Sequence, residues 1–72
     1  MTQNEMILQH LEQNGSITPQ EAMSKYRCMR LGARVYDLKR MGHRITSERV
    51  SYINGYGERK YFARYRMVNH DE

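Results

Sequence analysis

The sequence predicts an α+β domain in which three helices form a core and a C-terminal β-hairpin follows them. Three observations carry this reading. Apolar residues recur at helical spacing in three stretches before Gly42. After Gly42 the chain turns to β-branched and aromatic residues, with a period of two in its last stretch. Turn-forming groups (Asn14-Gly15, Thr18-Pro19, Gly42 and Asn54-Gly55-Tyr56-Gly57) punctuate the chain between these stretches.

The first helix is expected over about residues 4–14. Met6, Ile7, Leu8 and Leu11 form its apolar stripe, and Gln9, His10, Glu12 and Gln13 its polar face. Thr2 can cap its start with Glu5 three residues on, and Gly15 can end it in the left-handed conformation. Ser16-Ile17 reads as a short extended link. Thr18-Pro19-Gln20-Glu21 then combines a cap, a proline suited to the first helical position and a glutamate that closes a capping box. This second helix should last roughly two turns, to about Tyr26, burying Ala22 and either Met23 or Tyr26.

A third helix is expected from near Met29 until Gly42 ends it, with Leu31, Val35 and Leu38 on one stripe. Lys39 and Arg40 lie in its last turn, where the helix dipole favours cations. Residues 44–52 read as a strand rich in Ile45, Thr46, Val50 and Tyr52. Residues 60–67 alternate, with Tyr61, Ala63, Tyr65 and Met67 on one face and Lys60, Phe62, Arg64 and Arg66 on the other. Asn54-Gly55-Tyr56-Gly57 joins them as a hairpin turn. Such a hairpin is barely stable alone, so Tyr65 and Met67 are expected to anchor it to the helices. The element order is that of a winged helix-turn-helix domain, with the hairpin as the wing. It occupies residues 1–72 as one unit, ordered over about 4–67, with a frayed polar tail at 69–72.

At 72 residues the chain buries only about 60% of its unfolded surface, so the core is thin and a deep substrate cleft is hard to build. The formal net charge is +4, and nine of the twelve cations are arginines, whose planar forks suit phosphates and guanine edges. The lone Cys28 excludes an internal disulfide and reads as a small buried hydrophobe. His10, His43 and His70 lack ligand spacing, so neither metal nor cofactor is expected. Glu5, Glu12, Glu21 and Glu48 read as caps or surface charges, and no catalytic arrangement is visible. No charged-then-apolar leader and no run of about 18 apolar residues occurs, so a cytoplasmic protein without membrane contact is expected.

With Leu31, Val35 and Leu38 turned inward, the residues left on the outer side of the third helix are Met29, Arg30, Gly32, Ala33, Tyr36, Asp37 and Arg40, with Arg34 on its flank and Arg27 just before it. Gly32 and Ala33 give a smooth centre that can approach a surface closely, and the arginines reach base edges and phosphates. Two bland alternatives stand beside this: Gly32 permits close packing within the molecule, and Arg34 pairs with Asp37 three residues on. Met29 reads as core rather than as a contact to a thymine methyl. Tyr56, Arg59 and Lys60 at the hairpin tip are candidates for backbone or minor-groove contact. Tyr26, Tyr61 and Tyr65 read as core-edge residues.

The run Gly15-Ser16-Ile17-Thr18-Pro19-Gln20-Glu21-Ala22, then Tyr26, Cys28, Met29-Arg30-Leu31-Gly32-Ala33-Arg34-Val35-Tyr36-Asp37-Leu38 and Gly42, resembles a group of short helix-turn-helix proteins. These are common in bacteriophages, prophages and their bacterial hosts. The resemblance spans about Met6 to Met67 and implies a three-helix core, a wing, DNA binding and no cofactor. By analogy with the wider superfamily, it implies that the third helix reads the major groove. Gly32 and Ala33 depart from the polar base-readers of larger regulators. Sequence-specific or semi-specific binding to double-stranded DNA is therefore expected, with the protein acting as a regulator, as a homodimer on paired half-sites, or as a recombination accessory factor. Two competing readings are a module that docks on and inhibits a host nucleic-acid enzyme, and a binder of RNA or single strands, to which six tyrosines would lend stacking surfaces.

Overall fold

A computed structural model describes residues 1–68, so the expected frayed tail at 69–72 lies outside the described residues. The elements run α1 (Gln3–Asn14), β1 (Ser16–Ile17), α2 (Pro19–Tyr26), α3 (Leu31–Arg40), β2 (Ile45–Ile53) and β3 (Arg59–Met67). Three helices and a three-stranded antiparallel sheet make the α+β architecture that the sequence predicts, with one strand more than expected.

Local chemistry explains most boundaries. Thr2 and Thr18 each accept a hydrogen bond from the backbone N–H of the glutamate three residues on, and each glutamate carboxylate accepts one from the threonine N–H. Both orphan donors at each helix start are thereby satisfied. α3 ends through Gly42, whose φ of 103° only glycine adopts without strain. Gly42 N–H reaches Lys39 O and His43 N–H reaches Leu38 O, which satisfies the last carbonyls.

The added strand is β1. It pairs with β3 in the register Ser16↔Arg66 and Ile17↔Tyr65, giving the sheet order β1-β3-β2. Two residues show no period, so sequence alone gives only an extended link here. The β2–β3 ladder runs without interruption from Ile45↔Met67 to Ile53↔Arg59. Met67 N–H also reaches Gly15 O, fastening the end of β3 to the end of α1.

Ile7, Leu11, Ile17, Ala22, Cys28, Leu31, Val35, Leu38 and Ile45 form one buried cluster, with Leu8, Tyr26, Tyr65 and Met67 packed against it. Three expectations are corrected. His10 is buried, because it flanks Ile7 one turn along the same side of α1 and its Nδ1 shares a 2.8 Å hydrogen bond with Tyr26 Oη. Met29 is 80% exposed, because Cys28 and Leu31 take the core positions on either side of it. Tyr61 is 50% exposed, because the hairpin runs on past the helices that cover Tyr65 and Met67. Among the described residues no helix is long and apolar enough to cross a membrane.

Candidate nucleic-acid interface

α2 hands over to α3 through Arg27, the only non-glycine residue with positive φ among those described (φ 53°, ψ 35°). Its N–H bonds Met23 O at 3.0 Å, and Cys28 N–H bonds Ala22 O at 3.0 Å. This closes α2 in the manner usually left to glycine, at a steric cost of about 1–2 kcal/mol for an L-residue. The exposed side chain of Arg27 leaves the molecule just before α3.

Arg30 is the N-cap of α3 and is exposed. Its carbonyl accepts from Ala33 and Arg34, but no side chain caps the helix and no acid lies in its first turn. α1 and α2 both carry a capping box with a glutamate. The positive end of α3 is thus left open, with Arg27 and Arg30 beside it, an arrangement that favours an anion.

Leu31, Val35 and Leu38 are 4%, 2% and 0% exposed, which turns the opposite face of α3 to solvent. That face carries Gly32, half-buried Ala33, Tyr36 and Arg40, on one stripe at helical spacing. The Arg40 guanidinium lies 5.8 Å from the centre of the Tyr36 ring. A Cβ built at Gly32 would stand 3.4 Å from Tyr65 Oη, at the edge of ordinary contact, so the approach of β3 to α3 does not require glycine there. Its missing side chain leaves the outer surface smooth.

Arg34 lies apart from this stripe. Its guanidinium is 3.3 Å from Asp37, whose carboxylate also accepts from Asn4 Nδ2 at 3.5 Å on α1. It is half-buried in that contact, the pairing that the spacing allowed.

The hairpin tip is built around Asn54. Its Oδ1 accepts from the N–H groups of Tyr56 and Glu58 at 2.9 and 3.0 Å, and its amide donates to the Glu58 carboxylate. Tyr56 projects from this loop, 91% exposed. Alternation along the ladder then divides the tip residues. Arg59 shares a face with Tyr65 and Met67 and donates to Ser51 Oγ at 3.1 Å; Lys60 lies on the opposite face, across from Tyr52. That opposite face also holds Glu48, which binds Arg64 at 2.6 Å and Arg66 at 3.5 Å. The Arg64 hydrogen bond holds the Glu48 carboxyl below the usual carboxylate range.

Sequence reasoning passed over Arg49. It stands on the helix-side face of the hairpin, and its guanidinium lies 4.0 Å from the centre of the Tyr61 ring. The period of two in β3 identified Tyr61, but placing Arg49 beside it required the exact β2–β3 register. The candidate arginines thus form three sets, and Lys60 stands apart from them on the opposite face of the hairpin. Arg27, Arg30 and Arg40 follow α3, Arg49 and Arg59 line the helix-side face of the hairpin, and Arg34, Arg64 and Arg66 are held by acids.

No curated protein and no solved structure matches the chain. A protein-family model does: residues 2–70 match the model described as a winged helix-turn-helix domain, nearly the whole length. Its core, its turn between α2 and α3 and its wing agree with that match, and the chain belongs to the winged helix-turn-helix domain family.

Proposed function

We propose that the protein binds double-stranded DNA, with α3 in the major groove and the hairpin on the backbone, and that it performs no chemistry of its own. One observation carries this reading. Burial of Leu31, Val35 and Leu38 turns outward a smooth stripe whose leading end is uncapped, free of acids and flanked by Arg27 and Arg30. Duplex phosphates suit that end, and the small Gly32 and Ala33 allow close entry to the groove. Arg27, Arg30, Gly32, Ala33, Tyr36 and Arg40 form the helix contact, with Tyr56, Arg59 and Lys60 contributing from the hairpin. Arg34 contributes through its charge, from its place beside Asp37. The sequence resemblance to short phage and prophage proteins supports a role as a small transcriptional regulator or recombination accessory factor.

An NMR titration with random-sequence duplex tests this. Shifts are expected to cluster on residues 27–40 and 54–60, and log affinity to fall linearly with log salt. Arg30→Ala should weaken binding more than Arg66→Ala, because Arg66 is engaged by Glu48 on the face away from α3. Equal losses would remove α3 as the reading helix, and a flat salt response would remove duplex DNA as the partner.

A second reading rests on a different surface. Thr18, Pro19 and Gln20 at the start of α2 face Tyr52 and Phe62 across an open cleft of about 610 Å³. Such an aromatic-lined cleft favours a protein partner, as a module that inhibits a host nucleic-acid enzyme would need. Stoichiometric capture of a protein, with no retention on DNA, would favour it.

A further inference from the structure

The two edges of the sheet are treated differently. On one, β1 covers only Ser16–Ile17 before the chain leaves into α2 through Pro19. A very short strand followed by proline blunts an edge against further pairing. On the other, β2 runs over Ile45–Ile53 with no proline, no glycine and no break in its ladder. α1 and α2 pack against β3 and leave most of β2 uncovered; along it only Ile45 is buried and Val50 half-buried.

Alternation fixes which backbone groups of β2 are free. At the two ends of its ladder, Val68 N–H reaches Arg44 O and Asn54 N–H reaches Glu58 O, each at 2.9 Å. The even-numbered residues of β2 therefore direct their N–H and C=O groups to β3. Ser47, Arg49, Ser51 and Ile53 direct theirs outward at the edge.

The side chains that could guard this edge are turned back from it. Glu48 lies 2.6 Å from Arg64 and 3.5 Å from Arg66. The Arg49 guanidinium lies 4.0 Å from the centre of the Tyr61 ring, and Ser51 Oγ accepts from Arg59 at 3.1 Å. All four partners belong to β3, so both charges of β2 are engaged on its inner side. Charged side chains protect an edge by standing in the way of a new strand, and here they do not. Tyr52 and Ile53, both favourable in strands, are 49% and 57% exposed.

Self-complementarity decides the occupant. A second copy that pairs antiparallel with β2 is related to the first by a two-fold axis perpendicular to the sheet. An axis at Arg49 or at Glu48 sets like charges directly opposite each other, which is destabilising. An axis at Val50 gives the longest of the remaining registers, over residues 47–53. Val50 then meets its twin, Glu48 lies opposite Tyr52, Arg49 opposite Ser51 and Ser47 opposite Ile53. No like charges are opposed. The outward groups of Arg49 and Ser51 bond across the interface, which leaves Val50 at a non-hydrogen-bonded position, where facing side chains come closest.

We propose that β2 is the interface of a homodimer, in which two copies pair their β2 strands antiparallel about Val50 and join two three-stranded sheets into one. The same axis keeps the helices of both copies, and with them both α3 helices, on one side of the joined sheet, as a duplex with paired half-sites requires. The pairing itself needs no nucleic acid, so its test is separate from that of DNA binding.

The test is sedimentation velocity of the whole protein over a dilution series, without DNA. A species of twice 8.7 kDa is expected at the concentrated end. Ser51→Pro removes an outward N–H and none that β3 uses, so it should give a monomer whose hairpin is intact. Val50→Lys, which sets two ammonium groups opposite each other, should raise the dimer dissociation constant at least about fivefold. It keeps the question open to test if the proline variant fails to fold, which thermal unfolding shows. Mixing Val50→Lys with Val50→Glu should restore a dimer that contains one of each. Under oxidation Val50→Cys should cross-link to its twin and Thr46→Cys should not, while the native Cys28, 2% exposed, stays out of the reaction. A monomer at every concentration would overturn the proposal and leave this edge to a strand of another protein. A dimer that persists unchanged in Ser51→Pro and Val50→Lys would place the interface elsewhere. Loss of the dimer in both variants without cross-linking of Val50→Cys would overturn the register.

Discussion

Replacing Arg27 by glycine should make the protein more stable and a weaker DNA binder at once. Arg27 sits at φ 53° and ψ 35°, and its backbone N–H closes α2 onto Met23 O at 3.0 Å. Glycine keeps that N–H and removes the Cβ penalty, worth about 1–2 kcal/mol. Against this, glycine raises the entropy of the unfolded chain, a cost of about 0.4–1 kcal/mol. The balance is a gain of up to about 1.6 kcal/mol, centred on about 0.8 kcal/mol or roughly 3–6 °C in Tm for a domain of this size. The lost guanidinium stood beside the open end of α3, so the salt slope of duplex binding should fall by about 0.9. Thermal unfolding by circular dichroism reads the first effect, and anisotropy over a salt series the second. A lower Tm would show that the side chain supports the fold and that the strain argument is wrong. An unchanged slope would show that Arg27 meets no phosphate.

Tyr26→Phe removes the hydroxyl that His10 Nδ1 meets at 2.8 Å and leaves a buried nitrogen unpaired, so urea unfolding should show a loss of about 1–3 kcal/mol. A change within experimental error would mean that water replaces the hydroxyl. Gly32→Ala should raise stability by up to about 1 kcal/mol, because helix propensity improves and the new Cβ stands at the edge of contact with a rotatable hydroxyl. Gly32→Leu should instead lower duplex affinity at least about tenfold by blocking groove entry, while circular dichroism still shows a folded chain. Acid should act partly through Glu48. Its folded pKa is lowered, so its contribution is present above the ordinary carboxylate pKa and is lost as pH falls through the folded value. Glu48→Gln should therefore flatten the acid limb of a stability–pH profile, and an unchanged limb would remove Glu48 as a contributor.

The parts of the fold that rest on short-range chemistry were legible in the sequence. Thr2 with Glu5, Thr18-Pro19 with Glu21, and Gly42 each announce a helix end through groups a few residues apart. The inward stripe of α3 followed from its spacing alone, and with it the outward position of Arg30, Gly32, Tyr36 and Arg40. What escaped depended on distant partners. His10 carries a polar label, but its place beside Ile7 on the inward side of α1 buries it once Tyr26 supplies a hydrogen bond. Met29 is apolar enough for a core that Cys28 and Leu31 had already filled. Arg49 could be set beside Tyr61 only through a strand register that spans the hairpin loop. β1 exists because β3 returns to it, which no local pattern of two residues announces.

That return has a consequence for how the chain acquires its structure. Ile17, though an early residue, finds its strand partner at Tyr65, and Gly15 O finds its donor at Met67. A nascent chain emerging from the ribosome can form its helical turns early, yet it cannot close this seam until the last strand has been synthesised. Completion of the fold thus waits on nearly the whole sequence, a long-range closure that slows folding relative to a plain helical bundle and favours all-or-none assembly.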